Sequence, residues 1–180
     1  MPPPVIDFSR NHFELFGLPA RFHFDAATLD RAYRALQGEV HPDRHAAATE
    51  AEQRLALQSS ARVNEAYRAL KDPVARAQYL LSLHGIEAFA ENETALPVDF
   101  LEHQLERRET AADARGARDA RTLATLLAEV RADAAAVEQR IAVLLDSEGA
   151  WDAARVHVRE FRFLMKLAAD IGDMLGELEG

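Results

Sequence analysis

The stretch that decides the fold is AYRALQGEVHPDR, residues 32–44. Pro42 ends a helix here, because proline has no amide hydrogen and disfavours the α conformation at the residue before it. A proline-stiffened turn of His41, Pro42 and Asp43 is therefore expected between two helices, where it can present His41 and Asp43 outward. The helix before the turn is predicted from apolar residues that recur at helical spacing, namely Leu29, Ala32, Tyr33, Leu36 and Val40.

The segments on either side of this stretch also read as helices. Asp25 is a predicted N-cap, since its carboxylate can accept hydrogen bonds from amides of the first turn. A long helix is expected from about Thr49 to Lys71, followed after Asp72-Pro73 by another that Gly85 stops near His84. A short helix is expected across Asn11–Gly17.

The second half of the chain predicts a small antiparallel bundle of three helices, over about residues 97–114, 117–145 and 151 to near the end. Helical periodicity is lost between Gly85 and Pro97, so a domain boundary is placed near Gly85. No strand-type alternation occurs, and the fold class is all-α. The second helix has a seam of Leu123, Leu127, Val130, Ala134, Val137, Ile141 and Leu144, and the third has a stripe of Trp151, Ala154, Val158, Phe161, Met165, Ala168 and Ile171.

Composition narrows the possible functions of the 180 residues. Cysteine is absent, which excludes disulfides, thiolate metal sites and a thiol nucleophile. Residues 1–84 carry no net charge, whereas residues 85–180 hold 11 basic and 20 acidic residues and so carry the whole net charge of −9. Such acidity argues against nucleic acid as a partner. Neither a secretory signal nor a membrane span is predicted, and the expected location is the cytoplasm.

A lone His-Pro-Asp is weak evidence, but its context carries a family resemblance. The series that surrounds the turn resembles a J-domain: Ala32-Tyr33-Arg34-Ala35-Leu36, Val63-Asn64-Glu65-Ala66-Tyr67, Leu70, Asp72-Pro73, Arg76-Ala77 and Tyr79. The opening His12-Phe13-Glu14-Leu15-Phe16-Gly17-Leu18-Pro19 and the closing segment from Arg76 to Gly85 are similar to those of the HscB family. The segment 100–109 and Arg162-Phe163-Leu164 resemble the surface with which that family binds the iron–sulfur cluster scaffold.

The resemblance implies a co-chaperone that is not itself an enzyme and needs no cofactor or metal. It would stimulate the ATPase of a DnaK- or HscA-type chaperone and deliver an IscU-type scaffold protein to it. The implied domains are a lead-in (1–10), a J-domain helical hairpin (11–84), a linker (85–96) and a client-binding bundle (97–180). The implied chaperone-binding residues are His41, Pro42, Asp43, Arg31, Arg34 and Arg44, and the scaffold-binding residues are Leu101, Glu102, Leu105, Glu106, Glu109 and Phe163.

Several alternatives stay open at this point. Leu101 and Leu105 share a helix face with acidic residues, and burial of these leucines in the core is the alternative. Glu102 stands where the family often has methionine, which leaves room for a J-protein with another client. A helical enzyme or metal protein using His41 and Asp43 is a further alternative. His41 and His45 are four residues apart, but Pro42 breaks the helix that could bring them onto one metal ion.

Overall fold

A computed structural model describes residues 6–45, 48–89 and 96–179, and within these ranges it contains helices and turns but no β-strand. The all-α prediction is therefore confirmed. A 3-10 turn follows α2 at Pro42–His45, and a π-helical turn follows α6 at Val143–Glu148. The α-helices are α1 (His12–Leu15), α2 (Ala26–Val40), α3 (Glu50–Lys71), α4 (Pro73–Leu83), α5 (Val98–Gly116), α6 (Ala120–Ala142) and α7 (Trp151–Glu179).

The chain divides into two compact units, residues 1–80 and 81–180. In the first unit, α2 and α3 pair as an antiparallel hairpin, with α1 packed on α3. The hairpin's direction follows from its side-chain bonds, since Tyr33 meets Asn64 and Gln37 meets Ser60. The core of this unit is formed by completely buried side chains, among them Phe13, Phe22, Leu29, Val40, Val63 and Leu70.

Capping residues set the ends of these helices. The Asp25 carboxylate accepts a hydrogen bond from the Ala27 amide, which confirms the predicted N-cap of α2. Thr49 begins α3 in a reciprocal capping box with Glu52. Gly85 follows α4 with a φ of 74°, a left-handed conformation that confirms the predicted stop. The first helix is shorter than predicted, because Gly17 has a φ of 64° and already turns the chain away.

The second unit is built mainly by α6 packed along α7, with α5 against both. The predicted seam of α6 is buried apart from Val137, which is half-buried. In α7 the predicted stripe is wrong at Met165, which is 41% exposed. Leu164 and Leu167 are buried in its place, beside the predicted Phe161, Ala168 and Ile171, because packing along α6 decides which side of α7 is buried.

The second helix of this unit also ends differently from the prediction. Regular α-helix stops at Ala142 and continues as the π-helical turn rather than running to residue 145. Gly149, with a φ of 62°, then reverses the chain into α7.

The structure describes only part of the predicted lead-in and of the predicted linker. Residues 1–5 and 90–95 lie outside the described residues. Ile6 is buried, and the carbonyl of Asp7 accepts a hydrogen bond from the Arg10 amide in a turn. Ala88 is buried too, and its carbonyl accepts a hydrogen bond from the Arg159 guanidinium. The limits proposed for the lead-in, the linker and the two domains stay a prediction.

Candidate functional site

The turn between α2 and α3 presents two of its three predicted residues at the surface. The His41 side chain is 48% exposed and that of Asp43 is 90% exposed, while Pro42 is half-buried. His41 has the extended conformation, with φ −60° and ψ 126°, as its position before proline requires. The Arg44 amide then bonds the His41 carbonyl at 3.0 Å and closes the turn.

The imidazole of His41 takes part in this turn. Its Nδ1 accepts a hydrogen bond from the Asp43 amide at 3.3 Å and lies 3.6 Å from the Asp43 carboxylate. When Nδ1 of a neutral imidazole accepts, the ring hydrogen resides on Nε2. His41 can therefore offer Nε2–H to a partner while its own backbone turn fixes the ring.

The three predicted basic residues are all exposed and all hold a local hydrogen bond. Arg31 donates to the Thr28 hydroxyl at 2.8 Å, and Arg34 donates to the Asp30 carbonyl at 3.2 Å. Arg44 donates to the Gly38 carbonyl in the last turn of α2. Arg31, Arg34 and Gly38 lie along one row of α2, so the basic row ends at a residue without a side chain.

A polar network joins α2 to α3 across the hairpin. The rings of Tyr33 and Tyr67 stack at 4.0 Å, and the Tyr33 hydroxyl donates to Asn64 Oδ1 at 2.9 Å. Asp30 receives hydrogen bonds from Lys71 Nζ at 2.7 Å and from the Tyr67 hydroxyl at 3.0 Å. The bond from Lys71 and the bond from Tyr67 lower the pKa of the Asp30 carboxyl below its usual value.

These contacts were not predicted from the sequence, although Tyr33, Asn64 and Tyr67 belong to the motif that carried the family resemblance. The available signal was that these residues can form hydrogen bonds and lie at facing positions of two helices that a turn joins. The described part of the chain contains no cluster of His, Asp and Glu that could hold a metal ion.

The second predicted site lies on α5. The five predicted residues of this helix are all exposed, with Leu101 at 41% and Leu105 at 58%. At 100° per residue they fall within an arc of about 140°. Core burial of the two leucines, the alternative left open by the sequence, is therefore wrong. We call this surface the α5 face, which consists of Leu101, Glu102, Leu105, Glu106 and Glu109.

Buried residues on the opposite side of α5 fix the orientation of this face. Gln104 and Arg107 are buried, as are Ala111 and Ala114. The Arg107 guanidinium donates to Asp133 on α6 at 2.6 Å and to Gln104 at 3.2 Å. A buried arginine needs such partners, because an unpaired charge away from water is costly. The pairing holds α5 on the bundle with its leucines outward.

Phe163, on α7, borders the α5 face. It is half-buried, and its ring meets Phe100 edge-on at 5.8 Å. The Arg108 guanidinium lies 4.9 Å from the ring centre in a cation–π contact. Arg108 belongs to the segment 100–109 that resembles the scaffold-binding surface but is not among the predicted site residues, although its position three residues after Leu105 places it on the same side of the helix.

Two family models match the chain, each over a different segment. Residues 11–79 match the family model for the DnaJ domain. Residues 96–172 match the model for the HSCB C-terminal oligomerisation domain.

Similar proteins cover nearly the whole chain. The co-chaperone protein HscB homolog of Burkholderia multivorans is 48% identical over 175 residues, which are 97% of this chain and 99% of that protein. Chaperone HscB from Vibrio cholerae has a TM-score of 0.85 at 35% identity and covers 94% of this chain and 99% of its own. Human co-chaperone HscB has a TM-score of 0.86 at 26% identity and covers 92% of this chain and 82% of its own.

Proposed function

The chain belongs to the family of HscB co-chaperones, and on that premise we propose that it stimulates the ATPase of a DnaK- or HscA-type chaperone and delivers an iron–sulfur cluster scaffold to it. The observation that carries this function is the exposed turn of His41, Pro42 and Asp43 at the corner of a J-domain hairpin. The chemistry belongs to the chaperone, so the chain itself needs no catalytic residue. The cytoplasm is the proposed place of action.

The chaperone docks on the turn and on α2. His41 donates from Nε2, Asp43 presents a carboxylate, and Arg31, Arg34 and Arg44 add positive charge beside them. Guanidinium groups favour acidic partners because they form charge-assisted hydrogen bonds with carboxylates. The turn is thus a small, preformed surface, and little conformational entropy is lost when it binds.

The scaffold docks on the α5 face and Phe163. Exposed leucines surrounded by glutamates suit a partner surface that is apolar at its centre and basic at its rim. Because one chain carries both sites, a bound scaffold is held near the chaperone at raised effective concentration. Delivery and ATPase stimulation are therefore coupled through a single protein.

A coupled ATPase assay tests this function. Stimulation of the chaperone is measured with the wild-type chain, with His41→Gln and with His23→Gln, each in the presence and absence of scaffold. His23 is an exposed histidine between α1 and α2, outside both proposed sites, and serves as the matched control. We expect His41→Gln to abolish stimulation and His23→Gln to preserve it. Equal stimulation by the two variants would rule out the proposed role of the turn.

A further inference from the structure

An open cavity of about 300 Å³ lies on α7 in the second unit. This volume is at the lower end of the range for ligand pockets, and it suits a short piece of peptide better than a large cofactor. The cavity is lined by two aromatic rings, an aliphatic side chain and three cationic side chains: Phe89, Phe163, Leu96, Arg159, Arg162 and Lys166.

The described residues that line this cavity carry a charge opposite to that of the C-terminal half. The C-terminal half of the chain is strongly acidic, yet none of the described residues that line the cavity is acidic. Arg162 and Lys166 are exposed one helical turn apart on α7, so both can reach the same bound anion. An apolar cavity with two reachable cations selects a ligand that carries an apolar group beside a carboxylate.

Buried contacts hold the wall of the cavity in place. Arg159 is only 9% exposed, and its Nε donates to the Ala88 carbonyl. Phe89, the next residue, lies under the Arg162 guanidinium, whose central carbon is 4.4 Å from the ring centre. Arg159 is thus a positioning residue, and the cavity is built by the fold instead of being a chance gathering of surface side chains.

Phe163 connects the cavity to α5. It lines the cavity and also meets Phe100 and Arg108 of α5. Phe163 therefore lies between the cavity, whose described lining is basic, and the helix that carries the acidic α5 face. A partner that covers both surfaces needs a basic region for the first and an acidic, apolar region for the second.

We propose that the cavity of Phe89, Phe163, Arg162 and Lys166 binds an acidic peptide segment of the client, with one apolar side chain inside and a neighbouring carboxylate on the two cations. The identity of this partner rests on the function proposed above, whereas the chemistry of the ligand rests on the cavity alone. The segment would fix the orientation of a client already held by Leu101 and Leu105.

The cavity is tested first with synthetic peptides. The full chain is titrated with acetyl-Glu-Phe-Glu-amide and with acetyl-Gln-Phe-Gln-amide, and backbone amide signals are followed by two-dimensional NMR. We expect the glutamate peptide to shift the amides around Phe163 and the glutamine peptide to bind at least about tenfold more weakly, as loss of a charge-assisted bond implies. Absence of these shifts, or equal binding of both peptides, would overturn the site.

A pair of charge reversals separates specific binding from a general charge effect. Lys166→Glu reverses a charge in the cavity, whereas Arg131→Glu makes the same charge reversal at an exposed position of α6 outside it. We expect Lys166→Glu to weaken binding of the glutamate peptide about tenfold and Arg131→Glu to leave it unchanged. The same response in both variants would overturn the assignment of the cavity.

Binding of the purified scaffold protein then decides the source of the peptide. If the scaffold binds the wild type and Lys166→Glu weakens it more than Arg131→Glu does, the client supplies the segment. If only Leu105→Ala weakens the scaffold, the cavity is not part of the client site and the proposed function still stands. If the wild type binds the peptide but no scaffold, the proposed client is wrong and the assignment of the segment to it fails, while the chemistry of the cavity survives.

Discussion

The Arg44 guanidinium donates a 2.7 Å hydrogen bond to the Gly38 carbonyl and so joins the turn of His41, Pro42 and Asp43 to the last turn of α2. Carbonyls in the last turn of a helix have no partner within the helix, and cationic side chains satisfy them well. Arg44 therefore has a structural contact within the hairpin besides its proposed contact with the chaperone. Gly38 itself lies at the end of the row of Arg31 and Arg34.

Gly38→Lys is expected to strengthen binding to the chaperone. A Cβ at position 38 would meet nothing within 4 Å, so a side chain fits there and extends the basic row. We expect severalfold tighter binding at low salt, with the gain reduced at high salt because exposed charges are screened. Fluorescence anisotropy with labelled chaperone measures the affinity at both salt concentrations.

Gly38→Ala is the control that separates charge from helix stability. Alanine should stabilise the chain by about 0.5–1 kcal/mol, since glycine is a poor helix former. Chaperone affinity should stay at the wild-type value. A gain in affinity of the same size for alanine and lysine would show that helix stability, and not the added charge, is responsible.

Asp30→Asn is expected to lower the free energy of unfolding at neutral pH. It is also expected to reduce the loss of stability that the wild type shows in acid. The pKa of Asp30 in the folded chain is lowered by hydrogen bonds from Lys71 and Tyr67, below the ordinary value of 3.8. The stabilisation is therefore fully present above about pH 3.8 and is lost as the pH falls through the lower, folded pKa. Thermal unfolding of both proteins from neutral pH to about pH 3 measures this difference, and an unchanged difference across that range would contradict the role of the carboxylate.

The wild-type chain is expected to lose stability at mildly acidic pH, and His12→Phe is expected to remove that loss. Burial of His12, together with the nearby positive charge of Arg62, lowers the pKa of its imidazole below the ordinary 6.5. The neutral ring stacks on Tyr79 at 4.1 Å, and phenylalanine can keep that stacking. Stability of the wild type is thus fully present above about pH 6.5 and falls below it, by at most about 1.4 kcal/mol per pH unit.

Urea denaturation of wild type and His12→Phe at neutral and mildly acidic pH measures this effect. His103→Phe is the matched control, because it makes the same replacement at an exposed histidine of the other unit. If His12→Phe loses as much stability as the wild type over the same range, protonation of His12 is not the cause.

The sequence predicted the helices well because their ends are set by local chemistry. Asp25 and Gly85 act on the turns next to them, and Pro42 acts on His41, so each signal lies within a few residues of its effect. Position 165 was predicted wrongly for the opposite reason. Which side of α7 is buried depends on its packing along α6, and a repeat of apolar residues does not contain that information.

The two sites also differ in how far the sequence could predict them. The turn was recognised from His41, Pro42 and Asp43 together with the motifs around them, because a short turn keeps neighbours in sequence close in space. The bond from Lys71 to Asp30 joins residues 41 positions apart, and the contact of Arg108 with Phe163 joins two helices. Contacts of that kind follow from the register of packed helices, which the periodicity of one helix leaves open.

Leu105→Ala is expected to separate client binding from stability. Leu105 is 58% exposed, so its removal leaves no cavity and should change the free energy of unfolding by less than about 0.5 kcal/mol. As an exposed apolar residue at the centre of the α5 face, it should contribute strongly to a docked interface, and we expect at least about tenfold weaker scaffold binding. Leu57→Ala is the matched control, because Leu57 is 62% exposed in the other unit. Calorimetric titration with purified scaffold measures both variants, and unfolding curves check their stability. If the two variants bind the scaffold equally well, the α5 face is not the client site, whatever the ATPase assay shows for the turn.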